Sequence, residues 1–286
     1  MGDGDRGEWP AAAPVAPREP VSAREAMARG MPGWPGPGEE PAPPTRPVPP
    51  GRGGNQRIPR PFTAVAGAPA PWAGLPAERR RLTLDHVRRG LAAVGPPQPS
   101  VRELEDGPAR PGSPSAVLAP LYAGADGLAH VVLTRRTWGL RTHQGEVSFP
   151  GGRIEPGESP VDGARREAQE EIDLDPTTVE IVGELDHLAT VSSGSFIVPY
   201  VGVLPDRPDT RPNPAEVEAV LHVPLAELAD PAIFREERWT FPGDRVQPIT
   251  FFELIGDTVW GATASLLRQL IGIATGTLGR GDLDHP

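Results

Sequence analysis

Between residues 152 and 174 the chain reads GRIEPGESPVDGARREAQEEIDL, and this stretch sets the tightest limit on what can be built around it. It holds five glutamates, three of which (Glu167, Glu170 and Glu171) fall within little more than one helical turn. The helix signals around them are complete. Ser159 is a good N-cap, Pro160 suits the first helical position, Asp162 stands where a capping acid would, and Pro176 lies beyond the end. At about 100° per residue, Glu167, Glu170 and Glu171 share one face, while Ala164, Ala168 and Ile172 share a more apolar one. Like charges at this spacing repel by a few tenths of a kcal/mol per pair. On the helix alone, the simpler reading is a solvated surface helix in which Arg166 pairs with Glu170.

The rest of the chain narrows the options. The net charge of -10 and the lack of a basic stripe argue against a nucleic-acid partner. There is no cysteine, and all 28 basic residues are arginine, which excludes disulfides, thiol catalysis, Schiff bases and a phosphate-loop lysine. No apolar run reaches the roughly 20 residues of a membrane helix, so a soluble, cytoplasmic protein with no membrane partner is expected. Residues 1–75 are dense in Pro and Gly and predict a disordered or polyproline-like arm, with Trp9, Trp34 and Trp72 as the only hints of docking.

A domain is expected over 76–276, followed by a frayed tail over 277–286. Leu82, Leu84, Val87, Leu91 and Val94 recur at helical spacing until Gly95-Pro96. SAVLAPLY and LAHVVLTRR flank AGADG as a hairpin, and further strands are predicted over 179–185, 196–204, 217–224 and 247–254. Helices are predicted over 160–172 and 258–273. Strands before, between and after helices imply an α/β (α+β) fold: a mixed β-sheet sandwiched between helices, without internal repeats.

Wider spacing overturns the surface-helix reading. Gly152 is followed after five residues by Glu158, and after seven more by Arg166-Glu167-Ala-Gln-Glu170-Glu171-Ile-Asp-Leu174. Six such positions would coincide by chance on the order of once in 10⁷ starting points. The pattern resembles the signature of the Nudix hydrolase family, in which a loop-helix-loop binds divalent metal on a diphosphate. The resemblance implies a Nudix fold, an enzyme using Mg²⁺ or Mn²⁺, and roles for particular residues. Glu170 and Glu171 match the principal metal-ligand glutamates, Glu167 a third carboxylate, and Gly152 a glycine whose carbonyl joins the metal shell. Arg166 and Glu158 match an ion pair bracing loop against helix. Asp173 stands where the family usually has Gly, which predicts a costlier cap and an intact site.

The segment VVLTRRTWGLRTHQGEVSFPGGRIEPGES (131–159) is similar to the coenzyme A diphosphatase branch of that family, with Thr137 where Ser is usual. Similar stretches downstream extend the likeness over about 80–275. The resemblance implies hydrolysis of coenzyme A or acyl-CoA to 3′,5′-ADP and (acyl) 4′-phosphopantetheine. Arg135, Arg136, Arg141 and His143 are candidate cations for its phosphates, Arg141 first. Glu167 is the first choice of general base, and Glu216 or Glu218 the second. His187 and His222 read as structural, and the Ser- and Gly-rich run 187–196 as a possible ligand-lining segment. Alternatives are a pyrophosphatase for ADP-ribose, NADH or another nucleoside diphosphate derivative, and a non-catalytic Nudix-fold binding module. A third is a scaffold built around the Pro-rich arm. The partner in the favoured reading is a small molecule, and the chain is compatible with a homodimer as well as a monomer.

Overall fold

In a computed structural model of the chain, which describes residues 32–36, 38–99, 114–139, 144–189, 196–241 and 243–283, the apolar runs around Leu118 and Val132 lie at the centre of the fold. In chain order the elements begin with β1 (Val65–Ala66), α1 (Leu84–Ala93), β2 (Ser115–Ala123), β3 (Ala129–Arg136), β4 (Val147–Ser148) and β5 (Gly151–Arg153). They continue with α2 (Pro160–Ile172), β6 (Glu180–Glu184), β7 (Leu188–Ala189), β8 (Phe196–Val203) and β9 (Val217–Pro224). The last are α3 (Leu225–Leu228), β10 (Phe234–Phe241), β11 (Arg245–Glu253), β12 (Thr258–Trp260) and α4 (Gly261–Thr275).

Strand β2 pairs parallel with β8 and antiparallel with β3 and β5, at the heart of a mixed eight-stranded sheet. Its sequence is apolar throughout because both faces are buried. Ala116, Leu118 and Tyr122 pack with Ala164, Ala168 and Ile172 of α2, whereas Ala119 and Leu121 join a core with Val87 and Leu91 of α1 and Leu267, Leu270 and Ile271 of α4. The expectation of helices on both faces of a mixed sheet therefore holds. The expectation of one sheet does not, because β1, β10, β11 and β12 form a second, antiparallel sheet of four strands. Strand β10 is absent from the sequence reading because FREERWTF lacks an apolar alternation; its Arg235, Glu236 and Glu237 are buried nonetheless. Residues Thr258–Trp260, expected to open the last helix, are strand β12, and the helix starts at Gly261 in a left-handed turn (φ 63°).

The Pro/Gly-rich arm needs a larger correction. Residues 1–31 and 37 lie outside the described residues, but 32–36 and 38–75 form a strap across the four-stranded sheet rather than a disordered tail. Composition predicts too little apolar burial to order it, yet Trp34, Ile58 and Trp72 are placed where they bury, while Phe62 and Val65 stay exposed. Trp34 is 5% exposed and meets Trp239 edge-on at 5.8 Å; Trp72 is fully buried against Phe234 and Phe252. The strap's amides find partners on the sheet, as in Gly53 N–H to the Leu254 carbonyl (2.7 Å) and Gly67 N–H to the Glu236 carbonyl (2.8 Å). The tail is likewise tied down through residue 283. The buried Asp186 carboxylate accepts from Gly281 N–H (2.6 Å), Arg280 (3.2 Å) and Gln269 (2.6 Å). Among the described residues no helix is long and apolar enough to cross a membrane.

Replacement of Trp72 by Ala leaves a cavity between the strap and the sheet and is expected to destabilise the protein by about 3–5 kcal/mol. Chemical denaturation measures this directly, and an unchanged midpoint would mean that the strap is not part of the folded unit.

Candidate active site

Helix α2 is fixed at both ends before its glutamates matter. The Ser159 hydroxyl accepts from Asp162 N–H (3.3 Å) and donates to the Asp162 carboxylate (2.5 Å). At the other end Asp173 adopts the left-handed conformation (φ 57°, ψ 32°) and its N–H donates to the Gln169 carbonyl (2.9 Å). Asp tolerates this backbone better than most residues, so the helix closes without glycine. The glycines of FPGG form the short strand β5 against β2.

This register sets α2 beside β5, and the carboxylates meet the two glycines. Glu171 is 3% exposed; one oxygen accepts from Gly151 N–H (3.2 Å) and the other lies 3.7 Å from Arg136 Nη1. Burial pushes its carboxyl up to about 7; Gly151 N–H and Arg136 oppose this, and Glu167 and Glu216 add to it. Burial also raises Glu167, with Arg166 opposing and Glu170 and Glu216 adding to the rise. The Glu167 carboxylate fills the space a side chain at 152 would need, since a Cβ there would lie 2.5 Å from its Cδ. Gly152 thus makes room for a carboxylate. Glu170 stands at the rim, with 57% of its side chain exposed.

Arg166 ties the group together. Its Nε and Nη2 donate to the two oxygens of Glu158 (3.0 and 3.2 Å), and Nη1 donates to Glu167 (3.0 Å) and Glu170 (3.2 Å). Nη2 also donates to the Arg153 carbonyl (2.9 Å), which fastens the helix to the end of β5. Bonding to Arg166 holds the Glu158 carboxyl below its usual range.

The other expected site residues divide. Glu216 is exposed, its carbonyl accepts from Thr137 N–H (2.9 Å), and its charge acts on both Glu167 and Glu171. Arg135 and Arg136, neighbours on β3, lead to different partners. Arg136 reaches Glu171, whereas Arg135 pairs with Asp257 (2.9 Å) and Glu218 (3.4 Å). Arg141, His143 and residues 190–195 lie outside the described residues. His187 pairs with Glu184 and stacks on Phe196, and His222 packs edge-on against Tyr122 (5.5 Å). Asp257 and the Gly151 amide were missed by the sequence reading. The glycine pair of FPGG, Gly151 and Gly152, is a signal for close backbone approach, but nothing local marks Asp257.

The donors gathered here are all oxygens, which suits a hard divalent cation. Among the described residues no three acidic or histidine side chains converge into a closed cage. Mg²⁺ keeps several waters and takes one or two protein carboxylates, so an exposed Glu170 next to the buried Glu171 suits it without a closed cage. A cation beside Glu171 would also offset the burial that disfavours its charged form.

Residues 112–243 match the NUDIX domain family. The chain is 42% identical over 166 residues to Nudix hydrolase 22, chloroplastic, of Arabidopsis thaliana, covering 54% of this chain and 52% of that protein. It is 34% identical over 157 residues to the uncharacterized Nudix hydrolase NudL of Photorhabdus laumondii, covering 54% of this chain and 82% of that one. Over 192 residues it is 33% identical to NudL of Salmonella dublin, covering 66% and 94%. This chain belongs to the Nudix hydrolase family. It spans about half the length of the plant relative.

Because Glu171 is raised from 4.5 to about 7, the metal-free folded state holds a proton that the unfolded chain has released. Its contribution to stability therefore falls as pH rises from 4.5 to 7, by up to ~3 kcal/mol. Denaturation of metal-free protein across that range should show this slope, reduced in Glu171→Gln. Identical slopes in both would remove Glu171 as the buried acid.

Proposed function

We propose that this protein is a divalent-metal-dependent diphosphatase that hydrolyses coenzyme A or acyl-CoA to 3′,5′-ADP and (acyl) 4′-phosphopantetheine. The observation that carries this reading is the set of acids on one stretch of α2: Glu171 and Glu167 against Gly151 and Gly152 of β5, with Arg166 joining Glu167 to Glu170 at the rim. Assignment to coenzyme A within the family rests on the residues ahead of those glycines, from Val131 to Gly152, which resemble the coenzyme A diphosphatase branch.

Glu167, Glu170 and Glu171, with the Gly152 carbonyl, would hold the cation, which when bound supplies positive charge to the diphosphate and lowers the pKa of an attacking water. Water adds to one phosphorus, the bridging P–O bond breaks, and the departing phosphate leaves as an anion. Glu167 takes the water's proton in this scheme, a role its raised proton affinity suits, and Glu216 is the second candidate. Arg166 and Glu158 keep Glu167 in place. Arg136 is the β3 cation beside this site, and Arg141 and His143, a few residues later in the sequence, are the candidates for the 3′-phosphate.

Product analysis against coenzyme A, dephospho-coenzyme A, ADP-ribose and NADH tests the assignment. Fastest release of 3′,5′-ADP from coenzyme A is expected, with loss in chelator and return with Mg²⁺ or Mn²⁺. Faster cleavage of ADP-ribose would move the substrate assignment to that class, and cleavage of none would end the diphosphatase reading. Because Glu170 is exposed, Glu170→Gln should leave the fold intact while lowering kcat about a hundredfold or more; retained turnover in a folded variant would contradict its role.

A further inference from the structure

A line of polar contacts joins the N-terminal strap to the strand beside the acids, and the mechanism above does not use it. Gln56 of the strap is 9% exposed and Asp257, just ahead of β12, is 3% exposed. Gln56 Nε2 donates to Asp257 Oδ1 (3.0 Å), and Thr258 N–H donates to Gln56 Oε1 (3.2 Å). The second oxygen, Asp257 Oδ2, accepts from Arg135 Nη1 (2.9 Å), and Arg135 Nε lies 3.4 Å from Glu218 Oε2. Burying a carboxylate is unfavourable unless it is paired and bonded, and here both oxygens are engaged.

The far end of this line falls on an irregularity in the sheet. Between β3 and β9 the register runs Arg135 to Ala219 and then Arg136 to Val217. Glu218 is therefore the extra residue of a β-bulge, a device that re-aims neighbouring groups. Two residues before it stands Glu216, whose carbonyl accepts from Thr137 N–H (2.9 Å) and whose N–H donates to the Asn213 carbonyl (3.0 Å). Asn213 N–H in turn donates to the Glu171 carbonyl (2.8 Å), so the segment ahead of the bulge is tied to the acid-bearing turn of α2. The Glu218 side chain is 41% exposed, and a pair with a free surface arginine would contribute little. Arg135 is not free, because Asp257 anchors it from the buried side.

We propose that Asp257 is a positioning residue: with Gln56 it fixes Arg135, Arg135 fixes the bulge at Glu218, and the bulge carries Glu216 to the acid cluster. The strap thereby becomes part of the site's framework. The kinetic side of this inference rests on the diphosphatase reading, and its structural side does not.

Asp257→Asn keeps the shape and removes the charge that holds Arg135, while Glu218→Gln alters an exposed side chain and tests the same link without touching the core. The readouts are amide hydrogen exchange at Thr137 in substrate-free protein, and kcat and KM on coenzyme A, with Asp257→Asn also made in a Glu216→Gln background. Each single variant should speed Thr137 exchange and lower kcat by about tenfold or more, with KM little changed. Asp257→Asn should cause no further loss once Glu216 is Gln, because both act through one group. Unchanged Thr137 exchange in folded variants, or a kcat loss that adds in full to that of Glu216→Gln, would overturn the proposal. Should the wild type cleave no diphosphate, the function falls and Thr137 exchange alone decides the clamp.

Discussion

The site depends on one guanidinium. At an effective dielectric near 20, two carboxylates about 6 Å apart repel by roughly 3 kcal/mol. Helix α2 and the loop before it bring four glutamates to Arg166's neighbourhood or just beyond it. Three of them, Glu158, Glu167 and Glu170, bond to Arg166 directly, while Glu171 is held by Gly151 and Arg136. The bond from Arg166 to the Arg153 carbonyl makes this arrangement structural as well as electrostatic, since it pins α2 to β5.

Burial then separates the acids. Glu171 lies deep with its charged form disfavoured, Glu167 is half-buried against Gly152, and Glu170 faces solvent. The same chemistry thus appears in three environments within a little over one turn, the arrangement a partly hydrated cation and an attacking water would require. The second sheet handles buried charge differently. Arg235 bonds to Glu253 (2.6 Å), Arg60 to Glu237 (2.8 Å), and Trp239 Nε1 donates to Glu237 (2.8 Å). Such buried pairs do little for net stability, and of these only Arg60–Glu237 joins the strap to the sheet.

Much of this was legible in the residues. The bounds of α2, its cap at Ser159 and the left-handed Asp173 follow from local chemistry, and they arrive where the letters put them. The apolar runs of β2 and β3 announce strands buried on both faces. What escaped notice depends on distant partners. FREERWTF carries no strand pattern in its letters, because its charges are buried by pairing with Arg60 and Glu253 across the sheet. A Pro/Gly-rich segment reads as disorder until Trp34, Ile58 and Trp72 find a surface to cover. Arg135 and Arg136 look equivalent in sequence, yet strand geometry sends them to different partners. Composition reports average burial, and these elements are ordered by a few exceptional contacts.

Direct binding of Mn²⁺ to substrate-free protein, followed by loss of the free-ion electron paramagnetic resonance signal, tests the central claim most plainly. The wild type should bind Mn²⁺ saturably, and substitution of Glu171 by Gln in a folded protein should weaken that binding about 10–100-fold. Equal Mn²⁺ affinity in the two proteins would contradict the assignment of these crowded acids to a metal.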